Sequence, residues 1–230
     1  MFIEPLVIGP WQANCFVISA NAPDARTRQP AIVIDPGVNA VEAVNDSLAR
    51  HHFDLAAVVC THGHIDHVGD AARIANERGV PVYLHPADTA MLTEPALGLG
   101  PGSEMLIAQL LGTTRLPAPD DRRELAEGVA LVVAGIELEV VHAPGHSPGC
   151  VVLRSHDDDG AVLFSGDVLF AGSIGRVDLP GGSMVQMRSS LRRLRAMIDE
   201  RTAILPGHGP ATTMARELVM NPYLTEEALA

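Results

Sequence analysis

Apolar residues in this chain fall into short uninterrupted runs, which predict buried strands. Phe2 to Ile8 and Asn14 to Ser19 are two such runs separated by Gly9-Pro10, and they read as antiparallel strands joined by a turn. Asn21 to Gln29 is polar, with Pro23 and Asp24, and marks a surface loop. Ala31-Ile32-Val33-Ile34 is the next strand, stopped by the turn residues Asp35-Pro36-Gly37. The period then changes. Val38 to His52 places Val41, Val44 and Leu48 at helical spacing, and Leu55 to Cys60 returns to a strand. Asp70 to Arg78 follows as a helix with Gly79 as its stop, then Val82-Tyr83-Leu84 as a strand and Pro86 to Leu92 as a short helix. This alternation implies crossover connections and a sheet with parallel pairs.

Glu94 to Asp121 breaks the rhythm with Gly98, Gly100, Gly102, Pro101, Pro117 and Pro119 around one apolar piece, Met105 to Leu111. Such a segment is either a lid over a site or an insertion packed on the surface. From Ala130 the chain turns to short strands at Leu131–Val133, Ile136–Val141, Val151–Leu153 and Ala161–Phe164. Asp157-Asp158-Asp159-Gly160 lacks the spacing of a calcium loop and reads as a solvated hairpin turn. Met184 to Ile198 is a helix with Met187, Leu191 and Leu194 on one face, Ala203 to Leu205 a final strand, and Met214 to Val219 a last helix.

Composition bounds the class without choosing an activity. A hydrophobic fraction of 47% in 230 residues suffices for a layered core, and no shift in composition marks a linker, so residues 1–230 are expected to form one domain. The formal charge of -12 disfavours nucleic acid or an anionic membrane as partner. Met1 to Gly9 carries Glu4 and no Lys or Arg, unlike a signal peptide, and no apolar stretch approaches the roughly 20 residues that span a bilayer. A soluble cytoplasmic protein is expected. Cys15, Cys60 and Cys150 sit in separate apolar runs and read as buried free thiols.

The candidate chemistry follows the strand Leu55 to Cys60. In Thr61-His62-Gly63-His64-Ile65-Asp66-His67-Val68-Gly69, four metal-ligating side chains fall within six positions. Imidazole suits borderline transition metals and carboxylate adds a harder oxygen donor. His62 and His64, two apart in an extended turn, project the same way onto one ion. Asp66 and His67 cannot share that face and point toward a second position, so the spacing predicts two metals side by side. Further donors must then come from elsewhere. Three tight loops after strands carry them: His146 in Ala143-Pro144-Gly145-His146-Ser147-Pro148-Gly149, Asp167 in Ser165-Gly166-Asp167, and His208 in Pro206-Gly207-His208-Gly209-Pro210. Flanking Gly and Pro fix the direction of each donor. His51, His52, His85, His142 and His156 read as surface or strand residues, with His142 close enough to the His146 loop for a supporting role.

Together these motifs resemble the metallo-β-lactamase superfamily and, within it, glyoxalase II-like hydrolases. Asp35-Pro36-Gly37 matches that family's leading Asp motif, so the resemblance runs from about Asn14 to Pro222. It implies an α/β protein, an αββα four-layer sandwich of two mixed β-sheets flanked by helices, with the site at one edge between the sheets. It further implies that His62, His64 and His146 bind one metal, that Asp66, His67 and His208 bind the second, and that Asp167 bridges them. Asp35 would orient the ligand loop, or serve only as a turn residue. Zinc is the first candidate for the two divalent ions, with iron or manganese also compatible with the donors.

Two adjacent cations lower the pKa of a bridging water from about 16 toward roughly 7, giving a hydroxide able to attack an ester or thioester carbonyl. Asp66 would be catalytic as well as a ligand, accepting a hydrogen bond from that hydroxide and aiming it. No serine nucleophile is expected, because Ala171-Gly172-Ser173-Ile174-Gly175 misses the G-x-S-x-G elbow at its first position. The expected activity is a thioesterase of glyoxalase II type cleaving small S-acyl, for example S-lactoyl, thiol conjugates. Two alternatives share the fold, a persulfide dioxygenase with one iron and a lactone or ester hydrolase. Full glyoxalase II proteins resembling this chain carry a C-terminal helical domain that grips glutathione, whereas only 22 residues follow His208 in a chain of 230. Ser173 to Gly182 is similar to short, single-domain members, and within it Arg176 either meets a substrate carboxylate or pairs with Asp178.

Overall fold

Strand β1 (Phe2–Ile8) pairs antiparallel with β2 (Ala13–Ser19), and β2 pairs antiparallel with β3 (Gln29–Ile34). From β3 onward the sheet is parallel, through β4 (Phe53–Val59), β5 (Val82–Leu84) and β6 (Arg122–Glu124). The structure, a computed structural model, describes residues 1–157 and 160–230. The expected hairpin tip at Asp158-Asp159 lies outside the described residues. A second sheet is ordered β14-β13-β10-β9-β8-β7, from β7 (Leu131–Val133), β8 (Ile136–His142), β9 (Val151–Asp157), β10 (Gly160–Gly166), β13 (Ala203–Pro206) and β14 (Thr212–Thr213). Between β10 and β13 lies a small ribbon, β11 (Leu169–Phe170) and β12 (Ser173–Ile174).

The helices are α1 (Val41–Arg50), α2 (Ile65–Val68), α3 (Ala71–Arg78), α4 (Ala96–Leu99), α5 (Glu104–Leu111), α6 (Met184–Met197), α7 (Met214–Met220) and α8 (Glu226–Leu229), with a 3₁₀ turn at Pro86–Leu92. Glu94 to Asp121 is therefore not irregular throughout, since it contains α4 and α5. None of the helices among the described residues is long and apolar enough to cross a membrane.

The uninterrupted apolar runs arise because both sheets are covered on both faces. In β2, Cys15 and Val17 face a core shared with Val44 and Leu48 of α1 and Ile74 of α3, while Phe16 and Ile18 face the second sheet. There Phe16 meets the ring of Phe164 edge to face, with centroids 5.3 Å apart. On the far side, Val141, Val152, Leu163 and Ile204 pack against Met187, Leu191 and Leu194 of α6 and Met214 of α7. The layers run helix, sheet, sheet, helix, the expected αββα sandwich.

Direct backbone links tie the sheets together at the strand ends that carry the ligand loops. The Val151 amide donates to the Thr61 carbonyl at 2.9 Å, and the Asn14 amide donates to the Gly207 carbonyl at 2.7 Å. The second of these bonds sets Ala13 opposite His208 as an antiparallel bridge. One edge of the sandwich is thereby held in register.

Candidate metal centre

Each donor rises from the C-terminal end of a strand or the loop that follows it. The loop after β4 is extended through His64, which has φ -68° and ψ 146° as the residue before α2. Helix α2 then turns the backbone, so Asp66 and His67 leave on a different side from His62 and His64. The loop between β8 and β9 delivers His146, the end of β10 delivers Asp167, and the end of β13 delivers His208.

All seven expected donors converge. The ligand atoms of His62, His64 and His146 lie within 4.8 Å of one another, as do those of Asp66, His67 and His208. His62, His67 and Asp167 form a third such group that joins the other two. Nδ1 of His64 faces Nε2 of His146 at 2.7 Å, and the Nε2 atoms of His67 and His208 are 3.3 Å apart. One Asp167 oxygen lies 3.4 Å from His67 Nε2, and the other lies 3.5 Å from His146 Nε2 and 3.6 Å from His208 Nε2. Oδ2 of Asp66 lies 3.2 Å from His208 Nε2.

The residues fit metal ions by the groups they leave unsatisfied. Nε2 of His62 and Oδ1 of Asp167 are buried without a hydrogen-bond partner among the described residues. Leaving such polar atoms buried and unpaired is costly, and a coordinated ion removes that cost. The outer nitrogens of three rings are meanwhile fixed, as ligand imidazoles require, while His64 Nε2 is buried without a hydrogen-bond partner among the described residues. His62 Nδ1 lies 3.1 Å from Thr61 Oγ1, His67 Nδ1 lies 3.0 Å from Asp35 Oδ2, and His146 Nδ1 lies 2.8 Å from the Arg176 carbonyl. Asp35 is more than a turn residue. It is 1% exposed, sits at φ 52°, and accepts from both the amide and the hydroxyl of Thr61 at 2.7 Å.

Charges in the cluster are divided unequally. Burial and the neighbouring imidazoles push His62 and His64 down, His64 to about 3, so both are neutral and able to coordinate. Burial opposes charge on His67 as well, but Asp66, Asp167 and Asp35 around it prevail and push it up to about 10. His208 is also raised, because Asp66 and Asp167 outweigh its burial. Burial works against charge on Asp66, yet His67 and His208 hold it well below the usual carboxylate range. Without metal, imidazolium compensates the carboxylates.

The centre opens into a cavity of about 430 Å³ walled by Trp11, Leu99, Phe170, Ile174, Leu179 and Arg176. Leu99 comes from α4, so the Glu94 to Asp121 segment forms one wall of the site. Gly98 packs on His64, and Ile107 of α5 is buried with Val38 and Ile65. Arg176 pairs with Asp178 through two contacts of 2.7 Å at the exposed rim. His142 supports the His146 loop from outside, with Nε2 2.8 Å from the Pro148 carbonyl. Asn14, which no motif marks, donates its side-chain amide to the carbonyls of Pro206 at 2.8 Å and Gly209 at 2.9 Å and so grips the His208 loop. In the sequence it shows as a polar residue at the start of an apolar run.

Residues 8–208 match the family model of the metallo-beta-lactamase superfamily. The chain belongs to that superfamily. It is 32% identical over 229 residues to hydroxyacylglutathione hydrolase GloC of Haemophilus influenzae, covering 99% of this chain and 100% of that one. Among solved structures it is similar to the B3 metallo-beta-lactamase BLEG-1, with TM-score 0.81, 34% identity and coverage of 97% and 100%. It is also similar to TTHA1623 in a di-iron-bound form, with TM-score 0.74, 36% identity and coverage of 96% and 100%. Family membership and the His/Asp cluster together imply a metal-dependent hydrolase that uses divalent metal.

Proposed function

We propose that this superfamily member is a dinuclear thioesterase of glyoxalase II type that cleaves small S-acyl thiol conjugates. The observation that carries the proposal is the position of Asp167, whose carboxylate oxygens reach toward His67 on one side and His146 on the other. A carboxylate so placed suits a bridge between one ion held by His62, His64 and His146 and another held by Asp66, His67 and His208. When bound, such ions lower the pKa of water and polarise a carbonyl oxygen. The likeness to GloC over its full length supports the thioester as substrate class, and the donor set accepts zinc, iron or manganese.

The chain's own residues supply the rest. Asp66, whose Oδ2 lies 3.2 Å from His208 Nε2, is the acceptor that aims the attacking water at the acyl carbon. The Arg176 carbonyl locks the ring of His146, and Asp35 locks that of His67, so neither ligand turns during the reaction. Trp11, Leu99, Phe170, Ile174 and Leu179 give the cavity an apolar lining that holds the acyl and thiol portions and excludes bulk water. A thiolate leaves without help from a protein acid.

The deciding experiment assays metal-loaded protein on S-lactoylglutathione and on neutral S-acyl thiols, with free thiol as the readout and metal content measured on the same sample. Thiol release that depends on about two metals per chain is expected. No turnover above metal-free protein on any thioester refutes the proposal. About one iron per chain with oxygen consumption on a persulfide replaces it with the dioxygenase, and turnover confined to a lactone points to the lactone hydrolase. The likeness to BLEG-1 makes a cyclic β-lactam a further arm of the same panel.

A further inference from the structure

Asp88 lies in the 3₁₀ turn after β5 and belongs to none of the ligand motifs. Its side chain is fully buried, and among the described residues every hydrogen bond that side chain accepts comes from a loop that carries ligands. Oδ2 accepts from the Gly63 amide at 2.9 Å and from the Ser147 hydroxyl at 2.6 Å. Oδ1 accepts from the Gly149 amide at 2.7 Å. Gly63 is the residue between His62 and His64, while Ser147 follows His146 and Gly149 ends the same loop. One carboxylate therefore joins the loop of two donors on the first sheet to the loop of the third donor on the second sheet.

The glycines show how closely that carboxylate is held. A Cβ at Gly63 would stand 2.9 Å from Asp88 Cβ, and one at Gly149 would stand 2.5 Å from Asp88 Cγ. Neither position has room for a side chain while the clamp is closed. The parallel pairing of β4 and β5, Val58 with Val82 and Val59 with Tyr83, is what puts the turn after β5 beside the ligand loop after β4.

We propose that Asp88 is a positioning residue for one metal position only, fixing the spacing of His62, His64 and His146 while leaving Asp66, His67 and His208 to Asp35 and Asn14. Asp35 touches a ligand of the second position directly and reaches the first only through the Thr61 hydroxyl at His62, whereas Asp88 serves the first position alone. Asp35 holds Thr61 and His67, whereas Asp88 holds Gly63, Ser147 and Gly149. The inference rests on the dinuclear reading above but not on the substrate.

The test is chelator competition with zinc on the full chain, which resolves the affinities of the two positions without any activity assay. Asp88→Asn removes an acceptor from a site with three donors and should weaken one position by about 10- to 100-fold, leaving the other within about twofold. Asp35→Asn should weaken the opposite position by the larger factor, since Asp35 holds His67 directly and His62 only through Thr61. Ser147→Ala, which deletes a single bond, should weaken the same position as Asp88→Asn by a smaller factor, and it decides the matter if Asp88→Asn does not fold. Unchanged affinities in Asp88→Asn, or equal weakening of both positions in folded Asp88→Asn or Ser147→Ala, would overturn the proposal. Asymmetric affinities without thioester turnover would leave it standing and sink only the thioesterase.

Discussion

Metal binding to this centre should release protons, and the number follows from its charges. In the metal-free chain His67 is enclosed by Asp66, Asp167 and Asp35 and pushed up to about 10 despite its burial. At about pH 7.5 that leaves roughly 300 protonated rings for every neutral one. Coordination needs the neutral ring, so its proton must go to solvent. His208 is raised by Asp66 and Asp167 and adds a further fraction, whereas His62 and His64 are already neutral and add none. The imidazoles are expected to release between about one and two protons per chain on filling both positions, and ionisation of a water between the ions adds up to about one more. The sign is unambiguous. Protons compete with metal below the folded pKa of His67, so affinity should rise about tenfold per pH unit for each proton coupled, through the neutral range. Isothermal titration of apo protein with zinc, in buffers of different ionisation enthalpy, reads the count as the slope of observed heat against buffer heat. Asp35→Asn, which removes one of the three carboxylates around His67, should lower it. A slope of zero would mean that His67 is neutral without metal, and the assignment of charge within the cluster would be wrong.

Three other perturbations separate site from scaffold. Asp167→Asn should cut metal-dependent turnover by about 100-fold or more, about 2.7 kcal/mol of barrier, and lower metal retained after dialysis, both read on one preparation. Gly98→Ala should disturb the site while the protein stays folded. The new Cβ would stand 2.5 Å from His64 Cδ2 and 2.8 Å from Met91 Sδ, so metal content should fall with little change in circular dichroism. Phe164→Ala should do the reverse, costing about 3–5 kcal/mol in urea unfolding by opening the centre between the sheets, with ligand geometry intact in the protein that remains folded.

The strands were legible in the sequence for the same physical reason that they are stable. Residues such as Cys15 to Ile18 and Ala31 to Ile34 are apolar without interruption because each sheet is covered on both faces. The donors were legible because a ligand on a strand-end loop needs its direction fixed, and Gly or Pro beside His146, Asp167 and His208 leaves a visible mark. Elements without either signal were missed. β6 is Arg122-Arg123-Glu124, an all-charged strand at the edge of its sheet, paired through backbone with β5, and nothing in its side chains announces a strand. Helices α4 and α5 were hidden by Gly98, Gly100 and Gly102, and Gly98 is there because His64 occupies the space a side chain would need.

Asp88 marks the deeper limit. An acid in a short turn has no spacing rule, and what gives it a role is that β4 and β5 lie side by side, a fact of tertiary structure. Its imprint was nonetheless in the sequence, at other positions. The glycine between His62 and His64 and the glycine that closes the His146 loop are where the carboxylate presses against backbone. Ligand motifs of this kind name their donors by residue type and the next layer by missing side chains. For the intervening residue of a paired-histidine motif, the physical question is therefore which buried group lies against it. Here it is an acid that also holds the third histidine's loop, so the spacing of one metal's donors is set by a residue about 20 positions beyond the motif that seemed to contain them.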